Sequence, residues 1–172
     1  MIMKVLRIIV NYFLLLTLLC CDKDELTELE KLPPATHGGL YTFGCLVNGK
    51  AWVTEWTGDA PTYYQTGTLF IYAGNRILKS FIGIHIYDLN LGEKEYQLTE
   101  SIHIYDNDAF YNDVSMACEY FTTNTYKGSV RITHLDKSKF IVSGTFEFDA
   151  WSADCSKVIK ITDGRFDLHY AP

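Results

Sequence analysis

The chain has 172 residues, 48% of them hydrophobic and 21% charged, with a formal net charge of −6. That length suits one domain plus an appendage, and the acidic balance excludes the basic footprint of a nucleic-acid binder or of a polybasic lipid binder. Twelve Tyr, ten Phe and three Trp favour a pleated, half-buried architecture, that is, an all-β fold.

The N-terminus begins with Lys4 and Arg7 and continues through Ile8–Leu19, twelve mostly apolar residues. A membrane-spanning helix needs about 20 such residues. The run is too short for one, and its order, charge before apolar core, is that of a signal peptide over residues 1–20. "LLCC" follows and resembles a bacterial lipobox, in which a cysteine is lipidated and the preceding peptide removed. Cys21 is the favoured acceptor, with Leu18, Leu19 and Cys20 before it; Cys20 is the alternative, but it would place bulky Leu19 directly before the acceptor. Cys20 in the last position departs from the Gly, Ala or Ser of the pattern. Lys23, Asp24 and Glu25 are similar to the surface-export signal of Bacteroidetes lipoproteins, a Lys and two acids just after the lipidated cysteine. The resemblance implies a protein anchored by its N-terminal lipid in the outer membrane and exposed at the cell surface, where acyl chains hold it firmly while the domain stays in water.

Residues 21–40 read as a tether. "DELTELEKL" offers one or two helical turns with Leu26, Leu29 and Leu32 to one side, and isolated helices that short are marginal. Pro33 and Pro34 enforce extended chain, and a Gly-Gly pair follows. Fully extended, such a tether reaches roughly 60 Å.

The domain, residues 41–172, follows period 2. "YTFGCLV" and "KAWV" flank Asn48-Gly49, the strongest short hairpin signal. "TLFIYA" is the next strand. "KSFIGIHIYDL" puts Ile82, Ile84 and Ile86 on one face and Phe81, His85 and Tyr87 on the other. "EKEYQL", "SIHIYD", "DVSMACEYFTT", "GSVRITHL", "KFIVSGTFEFDAW" and "KVIKITDGRFDLHY" complete about ten strands. Short strands at regular spacing predict an antiparallel β-sandwich, with a barrel as the alternative. Two echoes occur: "IHIYD" at 84–88 and 102–106, and "GTFEFD" (144–149) with "GRFDLH" (164–169). Both are too short for a repeat architecture. "TFGCLVNGKAW" and "ITDGRFDLHY" resemble a family of Bacteroidetes lipoproteins of unknown function. This implies an anchored all-β domain and carries no catalytic residues.

Candidate chemistry is sparse. With Cys21 lipidated, Cys45, Cys118 and Cys155 remain as disulfide candidates in an oxidising compartment, or as three buried thiols. A simple meander counts against Cys118–Cys155, because it places them at opposite ends of the fold. His85 and His103 could approach if their strands were neighbours, or could be polar residues on a solvent face. Asp106, Asp108 and Asp113 supply loop oxygens suited to calcium, but Phe110 and Tyr111 break the EF-hand pattern. Phosphate loops, nucleophile elbows and metalloprotease motifs do not occur, and no cofactor is implied. Trp52, Trp56, Tyr63 and Tyr64, set around a Gly/Pro loop, are the candidate ligand-binding rings, with core packing as the competing reading. The expectation is a non-catalytic binding or structural module whose ligand, a glycan or a protein, the sequence leaves open, with a glycan-binding module as the first alternative. A small hydrolase with an unrecognised site is the alternative.

Overall fold

The computed structural model describes residues 25–55, 61–103 and 105–172. The expected signal peptide, Cys20, Cys21 and most of the export tag lie outside these residues, as does Trp56. The fold is all-β and antiparallel, a strongly curled sheet forming a half-barrel. Among the described residues eleven strands build it: β1 (Thr42–Val47), β2 (Lys50–Val53), β3 (Tyr63–Gln65), β4 (Thr68–Asn75), β5 (Ser80–Tyr87), β6 (Glu95–Leu98), β7 (Asp108–Asp113), β8 (Cys118–Phe121), β9 (Gly128–Asp136), β10 (Ile141–Ser152) and β11 (Lys157–His169). Their order is β2-β1-β11-β10-β8-β7-β5-β4-β3. Long β10 carries β9 along its first part and meets β8 at Trp151–Phe121, and β6 pairs outside β9. A bridge from Tyr63 to Ala171 brings the last strand back to the chain leaving β11, which covers an otherwise open edge.

Turn chemistry is legible residue by residue. Asn48-Gly49 and Thr66-Gly67 close two-residue hairpins with positive φ at both positions. Four longer hairpins share one design. Asn75, Asp113, Asp136 and Ser152 each end a strand, and the side-chain oxygen of each accepts the N–H three residues on. The fourth loop residue, Lys79, Ala117, Phe140 or Ser156, then turns the chain with φ between 49° and 55°.

The core lies inside the curl. Ile82, Ile84 and Ile86 of β5 are fully buried together with Leu69, Ile71, Phe43 and Trp52. Curvature is accommodated by glycines facing phenylalanines. Gly83 pairs with Phe110, Gly128 with Phe148, Gly144 with Phe166 and Gly164 with Phe146; at Gly83, Gly144 and Gly164 the phenylalanine ring reaches into the space a Cβ would take, and at Gly128 the Glu147 carbonyl and the Phe148 Cβ do. The echo "GTF" and "GRF" thus has a cause: the two copies are antiparallel partners, and each glycine receives the other copy's ring.

Two expectations need correction here. Cys118 and Cys155 form a disulfide with Cα atoms 5.9 Å apart, and Cys45 is the buried free thiol. The chain is not a simple meander here: β8 runs antiparallel beside the end of β10, so the 153–156 turn arrives at the start of β8. The described residues of the second "IHIYD", 102, 103, 105 and 106, form no strand, and "YDNDAFYND" contains β7 instead, with Ala109 and Tyr111 inward and Phe110 outward.

The stretch read as tether lies partly on the domain. Thr27 and Glu30 hydrogen-bond reciprocally over one turn. Leu32 is buried while Leu26 and Leu29 are exposed. The Glu28 carboxylate accepts the Ala51 N–H of β2, Pro33 sits over Gly44 of β1, and His37 reaches Thr133 of β9. Between them, Asp167 of β11 holds the strap. One of its oxygens accepts the Thr36 hydroxyl at 2.6 Å and the N–H groups of Gly38 and Leu40; the other accepts the Gly39 N–H at 2.7 Å and the Ser143 hydroxyl at 2.8 Å. Three successive backbone N–H groups around a carboxylate make a nest. Burial alone would raise this acid, but the hydrogen bonds from Thr36, Ser143, Gly39 and Leu40 outweigh it and hold it at about 2.

Candidate functional site

Alternation along β3, β4, β5, β7 and β8 sends the aliphatic side chains inward together with Tyr64, Tyr111 and Tyr120, and a second set of aromatic side chains outward. The outer face carries Tyr63, Phe70, Tyr72, Phe81, Phe110 and Phe121, all part-exposed or exposed. Register aligns them in two rows across the strands. One row is Tyr63, Phe70, His85 and Asp108; the other is Tyr72, Gly83, Phe110 and Phe121.

Phe110 is the centre of this face. Its ring lies across Gly83, where a Cβ would come within 2.2 Å of it. Around it stand Tyr72, Phe81, His85 and Phe121, with centroids 5.8–6.2 Å away and Phe81 edge-on at 86°. The Asp108 carboxylate faces His85 Nδ1 at 3.1 Å, which sets the proton of the neutral ring on Nδ1. Nε2 then accepts the Tyr72 hydroxyl at 2.7 Å. Burial, with neighbouring Tyr63 and Asp108, pushes the Tyr72 phenol up to about 12. Beside this face, Tyr72 and Phe81 wall a cleft of about 270 Å3 over Gly74, closed by Pro61 and Val114 and rimmed by Arg76 and Lys79.

The residues singled out from sequence divide. Tyr63 belongs to the outer face, stacked on Phe70 at 4.7 Å. Tyr64 turns the other way, packs against the core and donates its hydroxyl to the Asp88 carbonyl. Trp52 is 1% exposed and its indole N–H donates to Ser80 at 2.8 Å, so it is a core residue and not a ligand platform. The calcium set does not assemble. Asp106 accepts the N–H groups of Ile102 and His103, Asp108 faces His85, and Asp113 caps its own turn. Among the described residues no three metal-ligating side chains converge, and His103 lies in the 99–107 loop away from any pairing with His85.

Sequence reasoning missed Phe70, Tyr72 and Phe110. The signal for Phe70 and Tyr72 was present in "TLFIYAGN", where they alternate with Leu69, Ile71 and Ala73; "DAFYND" carries none for Phe110, which is followed directly by an inward aromatic, Tyr111. A second groove, about 530 Å3, crosses β6, β9 and β10, lined by Glu95, Lys127, Ser129, Glu147 and Asp149. Its flanking charges are largely matched, Arg131 with Glu95 and Lys160 with Asp149, and it offers no exposed ring face.

These features define a curled all-β module with an aromatic outer face. The chain belongs to the family described as a domain of unknown function, DUF6252, whose model matches residues 42–167. No curated protein and no solved structure matches the chain.

Proposed function

We propose that this protein is a lipid-anchored, surface-exposed binding module, and that the outer aromatic face takes a glycan. The observation that carries the reading is Phe110, whose ring covers Gly83, with the hydrogen-bonded Tyr72–His85–Asp108 chain beside it. A sugar ring has an apolar C–H face and a rim of hydroxyls. A flat aromatic ring takes the first, and oriented polar atoms take the second. The anchor is carried by the order of signal peptide, lipobox at Cys21 and acidic export tag.

Glycan-array binding of the full chain tests this, compared with Tyr63→Ala and Phe110→Ala. Binding by the parent and loss in both variants is expected. An array with no bound glycan ends the proposal. Mass spectrometry of the N-terminus tests the anchor separately: Cys21→Ala should remain unlipidated, whereas lipid on that variant would assign Cys20.

A further inference from the structure

Two neighbouring hairpin turns at one end of the half-barrel expose apolar side chains that the fold does not use. In the turn between β4 and β5, Ile77 is 78% exposed and Leu78 47%; between β7 and β8, Val114 is 58% exposed and Met116 56%. The turns are joined, since Val114 N–H donates to the Lys79 carbonyl at 2.9 Å. A cation stands on each side of the apolar pair in the sequence Arg76-Ile77-Leu78-Lys79. The nearby acid Asp113 is turned back into its own loop, where it accepts Ser115 and Met116.

We infer that these two turns rest in the interfacial layer of the bilayer that anchors the chain. Ile77, Leu78, Val114 and Met116 enter the headgroup–acyl boundary, and Arg76 and Lys79 lie at the level of the lipid phosphates. An exposed apolar cluster rimmed by cations has the make-up of an interfacial contact. Position supports it. The strap occupies the chain from Thr27 onward, so the free tether is far shorter than residues 21–40 suggest. Glu28, the first strap residue bonded to a strand, lies seven positions after Cys21, a reach of at most about 25 Å. Its partner Ala51 adjoins Trp52, whose indole donates to Ser80, the residue after the first turn. The anchored end and the apolar turns are therefore close. The other end of β5 also exposes Leu89 and Ile102, but Ile102 belongs to a loop closed on Asp106 and this end lies away from the strap's start. An acidic domain is not drawn to a membrane by charge; the short tether places it there and the turns set its orientation.

This inference rests on the lipid anchor proposed above. The test uses the full, processed chain in vesicles of phosphatidylethanolamine and phosphatidylglycerol with brominated acyl chains, comparing Ile77→Trp with Ile102→Trp. Both sites are exposed turn or loop positions, so folding is not at stake. Vesicle flotation reports the anchor, and bromine quenching reports the contact. Quenching of the tryptophan at 77 at least twofold above that at 102 is expected. Flotation with equal quenching at the two positions overturns the inference and leaves the anchor standing. Absence of both flotation and quenching overturns both.

Discussion

Asp167→Asn removes the charge at the centre of the strap while keeping the side chain's shape. The carboxylate receives five hydrogen bonds, from Thr36, Gly38, Gly39, Leu40 and Ser143. An amide has one acceptor oxygen, so its NH2 group must face donors on one side of the site. At least two bonds to a charged group are lost, each contributing about 1.5–3 kcal/mol, and the expected cost is about 3–5 kcal/mol. The pH dependence has a fixed sign. Asp167 sits at about 2 folded against 3.8 as a free side chain. A depressed acid contributes its full stabilisation above the unfolded value and loses it as pH falls from about 4 through 2. Less than two pKa units at about 1.4 kcal/mol each gives about 2 kcal/mol from this group. Urea unfolding at pH 6, 4 and 2.5 measures both effects, and hydrogen exchange of the Gly38–Leu40 amides locates them. A variant within 1 kcal/mol of the parent at pH 6, with those amides still protected, would refute the reasoning.

Reducing Cys118–Cys155 frees a loop of 37 residues; the chain-entropy relation gives a loss of about 3–4 kcal/mol, read as a lower urea midpoint in dithiothreitol and reproduced by Cys118→Ala with Cys155→Ala. Gly128→Ala places a Cβ against the Glu147 carbonyl and the Phe148 backbone, neither of which can move without breaking β9–β10 pairing. It should cost about 3 kcal/mol or more. At Gly83→Ala the obstacle is only the Phe110 ring, which can swing, so thermal unfolding should shift by about 1 kcal/mol while glycan binding falls. Trp52→Phe leaves Ser80 without its indole donor and should cost about 1–3 kcal/mol without altering glycan affinity.

Much of the fold could be read from local rules. Asn48-Gly49, the isoleucine alternation of β5 and long β11 all follow from period and turn chemistry. β7 was hidden because its ends, Asp108 and Asp113, look like loop residues, although its middle alternates. "SIHIYD" has a strand's composition but loops out, with the Asp106 carboxylate capping the backbone N–H groups of Ile102 and His103; composition was overridden by tertiary context. The disulfide depended on β8 and β10 being direct neighbours, which no local pattern encodes. The aromatic face was half legible. Tyr63 stood out in a loop-like stretch, whereas Phe110 becomes a platform only because register sets Gly83 opposite it. Asp167 gave no signal, since all its donors but Ser143 lie about 130 residues earlier in the chain.

The account stands or falls on where a glycan meets the protein. The most direct measurement is the set of intermolecular NOEs between a bound oligosaccharide and the aromatic protons of the full chain. The account predicts contacts from the sugar's axial C–H protons to the Phe110 ring, with weaker ones to Tyr72 and Tyr63. Contacts to groups on β6, β9 or β10, with none to Phe110, would contradict it.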